Sequence, residues 1–213
     1  MQRTAPIALL CVLVSAVALA DRGALSVEGG GGMTALNQPA PYASPSASTL
    51  GGAATIVLGA RYALTNNWEA TVWGFYEPQV AYFHNGINIT TSDGAFPGTL
   101  SEQLTRFGGL AGVRHVWGSV FRFAVGLDVG WSHRSYSKLD AINDTSPSAP
   151  VDYGLGLASY STDNLVLSPM LGVEWAVGDH YSFSLMPRFE LLIGRDKTWA
   201  FTAPLCFSWS WYL

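Results

Sequence analysis

The segment that decides the fold is Thr198-Trp-Ala-Phe-Thr-Ala-Pro-Leu-Cys-Phe-Ser-Trp-Ser-Trp-Tyr-Leu213, in which Trp199, Phe201, Leu205, Phe207, Trp209, Trp211 and Leu213 put a bulky apolar group at nearly every second position. A period of two is the period of a β-strand, whose successive side chains point to opposite faces, so the segment predicts a strand with one strongly apolar face.

At the other terminus, residues 1–20 carry one cation, Arg3, then the apolar run Ile7 to Val14, then Ala18-Leu-Ala20 before Asp21. That order predicts a secretory signal peptide over 1–20 and a mature domain over 21–213. A lipoprotein reading through Cys11 fits poorly, because Leu10 stands where a small residue is wanted. Beyond residue 20 no stretch approaches the roughly 20 uninterrupted apolar residues of a spanning helix. A membrane, if crossed, is crossed by strands.

Composition narrows the class further. The chain is 49% hydrophobic, 13% aromatic and 12% charged, about half the charged share of a soluble domain. Without Arg3 the mature chain sets 10 basic against 15 acidic side chains, which gives nucleic acid nothing to bind. After processing Cys206 is alone, so no intramolecular disulfide forms.

Eight alternating segments follow at 25–36, 51–63, 68–78, 104–117, 119–133, 164–177, 181–193 and 198–213. The connections after the second, fourth and sixth are tight and built of turn formers: Leu64-Thr-Asn-Asn67, Trp117-Gly-Ser119 and Gly178-Asp-His180. Those on the other side, 37–50, 79–103, 134–163 and Gly194-Arg-Asp-Lys197, are longer on average. Short turns at one end, long loops at the other and an even strand count predict an all-β, eight-stranded antiparallel up-and-down transmembrane barrel with periplasmic turns and extracellular loops.

Parity within the strands assigns the faces. In the fifth, Phe121, Phe123, Val125, Leu127, Val129 and Trp131 share one face, with Arg122 and Asp128 on the other; in the seventh, Tyr181, Phe183, Leu185, Phe189, Leu191 and Ile193 stand against Arg188 and Glu190. Collected over all strands, the polar face carries Arg61, Arg106, Arg114, Arg122 and Arg188 against Glu28, Glu69, Glu77, Asp128, Glu174 and Glu190. That pattern fits a membrane barrel with a charged lumen, and equally a soluble periplasmic lipocalin-like barrel that binds an apolar ligand. Two observations favour the membrane. The two lysines, Lys138 and Lys197, fall in connections, and every strand cation is arginine, suited to paired and partly buried carboxylate contacts. Tyr62, Trp68, Trp117, Trp175, Tyr181, Trp209 and Trp211 lie near the short-turn ends and Tyr76, Trp131 and Trp199 near the long-loop ends, as two aromatic girdles would. Two features sit badly: Trp73 and Phe75 fall on the polar face, implying a bulge or a partly apolar lumen, and Pro169, Pro187 and Pro204 remove ladder donors inside strands.

The terminal alternation resembles the C-terminal strand of Gram-negative outer-membrane barrels, though that family usually closes on Phe where Leu213 stands here. With Leu58-Gly-Ala-Arg-Tyr-Ala-Leu-Thr-Asn-Asn-Trp-Glu69 around a tight turn, the chain resembles the OmpA/OmpX-type barrels over its mature length. The resemblance implies residence in the cell outer membrane, contact with lipid and lipopolysaccharide, recognition of the last strand by the barrel-assembly machinery, a monomer, no cofactor and no enzymatic activity. A surface partner would meet the loops 79–103 and 134–163.

Few residues suggest chemistry. Gly29 to Gly32 lack the Lys-Ser/Thr of a phosphate loop and read as positions of close backbone approach. His84, His115, His133 and His180 lie in different elements without metal-ligand spacing. Asn88-Ile-Thr90 matches a glycosylation sequon by coincidence. His133 and Ser135, two apart at the end of the fifth strand with Asp140 after them, resemble the His-x-Ser motif of outer-membrane lipid A deacylases, which would make them base and nucleophile. That family continues with Asn-Ala where Tyr136-Ser137 stand here, and two polar residues at a loop base are the preferred reading of the pair, so no hydrolysis is expected. The lumen charges, likewise, are expected to fill an eight-stranded interior rather than line a pore.

Overall fold

A computed structural model describes residues 22–37, 50–91, 94–137, 140–143, 159–194 and 197–212. The signal peptide expected over 1–20, Lys138 and Leu213 lie outside them, as do residues 144–158 of the long connection.

Among the described residues ten strands form: β1 (Ala24–Asn37), β2 (Leu50–Ala63), β3 (Trp68–Thr91), β4 (Gly94–Gly118), β5 (Phe121–Tyr136), β6 (Asp140–Asn143), β7 (Tyr160–Val177), β8 (Tyr181–Leu185), β9 (Arg188–Gly194) and β10 (Thr198–Tyr212). Each pairs antiparallel with its neighbour, β8 and β9 are two halves of one wall strand, and β6 sits off the ring on β4. The ring of eight closes where β1 meets β10, in register from Ala24↔Tyr212 to Asn37↔Trp199.

The tight turns have local causes. Leu64 N and Thr65 N donate to Trp68 O at 2.9 and 3.1 Å, and the Thr65 hydroxyl accepts from Trp68 N at 3.0 Å. Gly118 and Gly178 take φ of 107° and 77°, a region that costs glycine least. Two of the three prolines still offer their carbonyls: Leu171 N donates to Pro187 O at 3.1 Å and Met186 N to Pro204 O at 3.2 Å; Pro169 sits in register with Leu127 of β5. Pro187 does interrupt its strand, which is why β8 ends at Leu185 and β9 begins at Arg188.

Both long-loop expectations are corrected. Residues 79–103 are not a loop: β3 and β4 continue as a paired hairpin from Val80↔Leu104 to Thr91↔Gly94, with a register irregularity between His84 and Ile87, and β6 adds to it through Gly98↔Asn143 to Ser101↔Asp140. The span 134–163 likewise holds the end of β5 to Tyr136, β6, and the start of β7 at Tyr160. Residues 79–103 mix polar, glycine and proline positions without a sustained apolar alternation, so the sequence there carries no period-two signal to read. The departure from the wall falls at Gln79, with φ 55° and a register shift between Glu77 and Val80, a bulge that re-aims the strands.

Burial is inverted relative to a soluble protein. Arg106 and Arg114 are 0% exposed, whereas Leu58 is 65% and Phe121 64% exposed. This corrects the lipocalin-like alternative, since the outer wall is apolar and the interior charged. Trp73 and Phe75 lie buried in that interior with β3 in unbroken register from Trp68 to Glu77, so the lumen is partly apolar and no bulge turns them outward.

Candidate functional site

The lumen holds the charges in layers. Nearest the short-turn end, each of the eight wall strands contributes one residue: Glu28, Arg61, Glu69, Arg114, Arg122, Glu174, Ser182 and Ser208. Glu174 is the hub. It takes Arg61 at 2.7 Å, Arg114 at 3.0 Å, Arg122 at 3.3 Å and the Ser182 hydroxyl at 2.8 Å. Glu69 receives Arg114 at 2.6 Å and Arg122 at 2.7 Å, while Glu28 faces Arg61 Nε at 3.3 Å. Ser208 accepts from Arg61 at 2.8 Å. Three guanidinium groups thus meet three carboxylates, and the β2–β7 contact between Arg61 and Glu174 runs straight across the barrel.

Above this layer Arg188 pairs with Asp128, whose other oxygen accepts from Thr71 at 2.7 Å, and the Arg188 guanidinium lies 4.2 Å from the Trp73 ring centre. Higher still, Arg106 bridges Glu77 at 3.2 Å and Glu190, receives support from Ser132 at 3.1 Å, and covers Phe75 at 4.5 Å. Thr34 and Thr202 donate to Glu77 and Glu190 at 2.7 and 3.1 Å. The two inward aromatics therefore serve as platforms for arginine, which accounts for their place on a polar face.

The sequence reading missed two interior ions. Arg134 is fully buried and donates from Nε to Asn164 at 2.9 Å; it shares parity with Arg122 and Asp128 and was lost by ending the strand at 133. Glu102, also buried, fell inside the segment read as a loop.

On the outer wall the aromatics form two rings. Tyr62, Trp68, Trp117, Trp175, Tyr181 and Trp209 are exposed at the short-turn end, where Trp211 packs edge-on against Trp209 at 5.9 Å and Phe121 stacks on Trp175 at 6.0 Å. Tyr76 and Trp131 are exposed toward the other end, where Trp199 stacks on Phe189 at 5.7 Å.

His133 is half-buried on this outer wall and Ser135 is exposed beside it. His133 Nδ1 lies 2.9 Å from Asp163, a carboxylate that also accepts from Trp131 Nε1 at 3.0 Å, and Phe107 packs on the imidazole at 5.1 Å. The acidic partner is therefore Asp163 of β7, facing His133 in register. Asp140 instead opens β6, opposite Ser101 on the hairpin. Among the described residues no group of three or more His, Cys, Asp or Glu could hold a metal ion.

No protein-family profile matches the chain, and no curated protein matches it. Solved structures do. The outer membrane protein OprG of Pseudomonas aeruginosa aligns with 91% of this chain and 98% of its own at 10% identity and a TM-score of 0.53. Ail, the attachment invasion locus protein of Yersinia pestis, in its complex with the heparin analogue sucrose octasulfate, aligns with 89% of this chain and 99% of its own at 14% identity and a TM-score of 0.50. Neisserial surface protein A covers 88% and 99% at 12% identity and a TM-score of 0.49. Identities this low speak for shape alone, and the shape is that of the eight-stranded outer-membrane β-barrel.

Proposed function

We propose that this chain is a non-enzymatic integral protein of the outer membrane, a rigid barrel that holds the β3–β4 hairpin outside the cell for contact with surface partners. The observation that carries this is the combination of an apolar outer belt between two aromatic rings with an interior crossed by ion pairs. The belt suits lipid and lipopolysaccharide tails, and the crossed interior gives rigidity where a channel would need space. In this reading residues 1–20 direct export, β10 is the strand the assembly machinery recognises, the mature chain works as a monomer, and no cofactor takes part. Membrane fractionation combined with protease treatment of intact cells tests it: the chain should enter the outer-membrane fraction and be cut within 79–103. Recovery in the soluble periplasm would end the proposal.

A second reading is favoured by the His133–Asp163 contact alone. It makes Asp163 the group that orients His133, and His133 the base for Ser135, in an esterase acting on outer-leaflet lipid A. Loss of an ester-linked acyl chain from lipid A on expression, abolished by Ser135→Ala, would select this reading; unchanged lipid A rejects it.

A further inference from the structure

The charged layers of the lumen differ in their balance. The lowest sets three guanidinium groups against three carboxylates, and the middle one sets Arg188 against Asp128. The uppermost sets two carboxylates, Glu77 of β3 and Glu190 of β9, against Arg106 of β4, the one cation within ion-pair distance of either among the described residues. All three side chains are buried.

The surrounding strands bring no second cation to the pair. Arg134 of β5 stands in register with Arg106, but its Nε donates to Asn164 of β7. Arg188, on the same inward face of β9 as Glu190, pairs with Asp128 of β5. Glu102, beyond Arg106 along β4, is a further acid. Apart from Arg61 and Glu174 in the lowest layer, β2 and β7 turn no charged side chain inward. From β1 and β10 the pair meets hydroxyls, those of Thr34 and Thr202.

Those hydroxyls make the shortage countable. Thr34 Oγ1 lies 2.7 Å from Glu77 and 3.0 Å from Thr202 Oγ1, which lies 3.1 Å from Glu190. Three contacts in a row need three protons, and two hydroxyls supply one apiece. With both carboxylates ionised, both hydroxyls donate outward and nothing fills the contact between them. A proton on one carboxyl completes the row: Glu190 donates to Thr202, Thr202 to Thr34 and Thr34 to Glu77, or the whole row runs the other way. The same proton leaves one carboxylate facing Arg106. Two carboxyls confined to one site ionise one at a time, and a buried group without a counter-charge neutralises rather than stay charged.

We propose that Glu77 and Glu190 together hold one proton at neutral pH, a proton-binding site whose hydroxyl row crosses the β1–β10 seam, where Thr34 and Thr202 stand in register. The proton belongs to the pair rather than to either residue. An exposed glutamate ionises near pH 4.3, to about a unit, so closing the barrel takes up a proton that the unfolded chain lacks. The site lies inside the barrel and stands whether or not the hairpin meets a partner.

Infrared difference spectra of the mature barrel in lipid vesicles at neutral pH test it, because a carboxylic acid and a carboxylate absorb in separate bands. Glu190→Gln leaves Glu77 as the partner of Arg106 and gives Thr202 an amide donor in place of the acid. Wild type minus this variant should show the loss of one carboxylic acid. Loss of one carboxylate instead, whether a metal ion or nothing balances it, overturns the proposal. Glu77→Gln should give the same difference and serves if the first variant does not fold; failure of both to fold also overturns it, since an amide at either position is expected to stand in for the acid. Urea unfolding supplies a second readout. The folded state holds the extra proton, so stability falls as pH rises. Between about pH 5.5 and 6.5 the folding constant of wild type should drop about ten-fold more than that of Glu190→Gln, and an equal drop in the two overturns the proposal.

Discussion

Glu174 shows what a single side chain does in this lumen. Its carboxylate faces Arg61, Arg114 and Arg122 and accepts from Ser182, so Glu174→Gln leaves three buried guanidinium groups with Glu28 and Glu69. Stranding buried charge costs about 3–5 kcal/mol, and urea unfolding from lipid vesicles should register a loss of that size, whereas Ser182→Ala should cost about 1 kcal/mol. A loss below 1 kcal/mol for Glu174→Gln would mean that the layer does not lock the barrel. On the opposite face, Val125 is 41% exposed on the outer wall near mid-strand. Placing Arg there puts a charge into hydrocarbon, with an expected cost of about 2–4 kcal/mol in the same assay; an unchanged midpoint would show that this face does not meet lipid.

At the scale of elements, the closing seam between β1 and β10 depends on two glycines. A Cβ on Gly30 would run into Leu205 O and come within 2.7 Å of the Cys206 Cα, and one on Gly32 would run into Ala203 O and come within 2.7 Å of the Pro204 Cα. Both clashes are with backbone, which cannot step aside without opening the seam. Gly29 differs: its nearest neighbour is the Leu58 side chain at 3.6 Å, an ordinary contact. Gly30→Ala should therefore lower the fraction of heat-modifiable, folded barrel on unheated gels, and Gly29→Ala should leave it near wild type. Equal behaviour of the two variants would remove close approach as the reason for the glycine run.

For the whole molecule, the contacts Arg61–Glu174 and Arg106–Glu190 tie strands that are not neighbours in the wall, so two layers of side chains cross the lumen. Reconstituted in a planar bilayer, the barrel should show no steady single-channel current. Discrete, reproducible conductance steps would contradict a filled interior and turn attention to transport.

The eight wall strands, their faces and their tight turns could be read from the chain, because a strand crossing hydrocarbon must repeat an apolar side chain at every second residue and each turn has its own local chemistry. Which ion meets which was hidden: Arg61 lies 113 residues from Glu174, and only closure of the sheet brings them together. The acid beside His133 was misplaced for the same reason, Asp140 being nearer in sequence and Asp163 nearer across the β5–β7 ladder. The hairpin beyond Glu77 escaped because its two strands pair through their backbones, which asks no alternation of the side chains. The sequence by itself thus determined what the lipid demands of each residue, and the tertiary structure alone decided the contacts that depend on strands distant in the chain coming face to face.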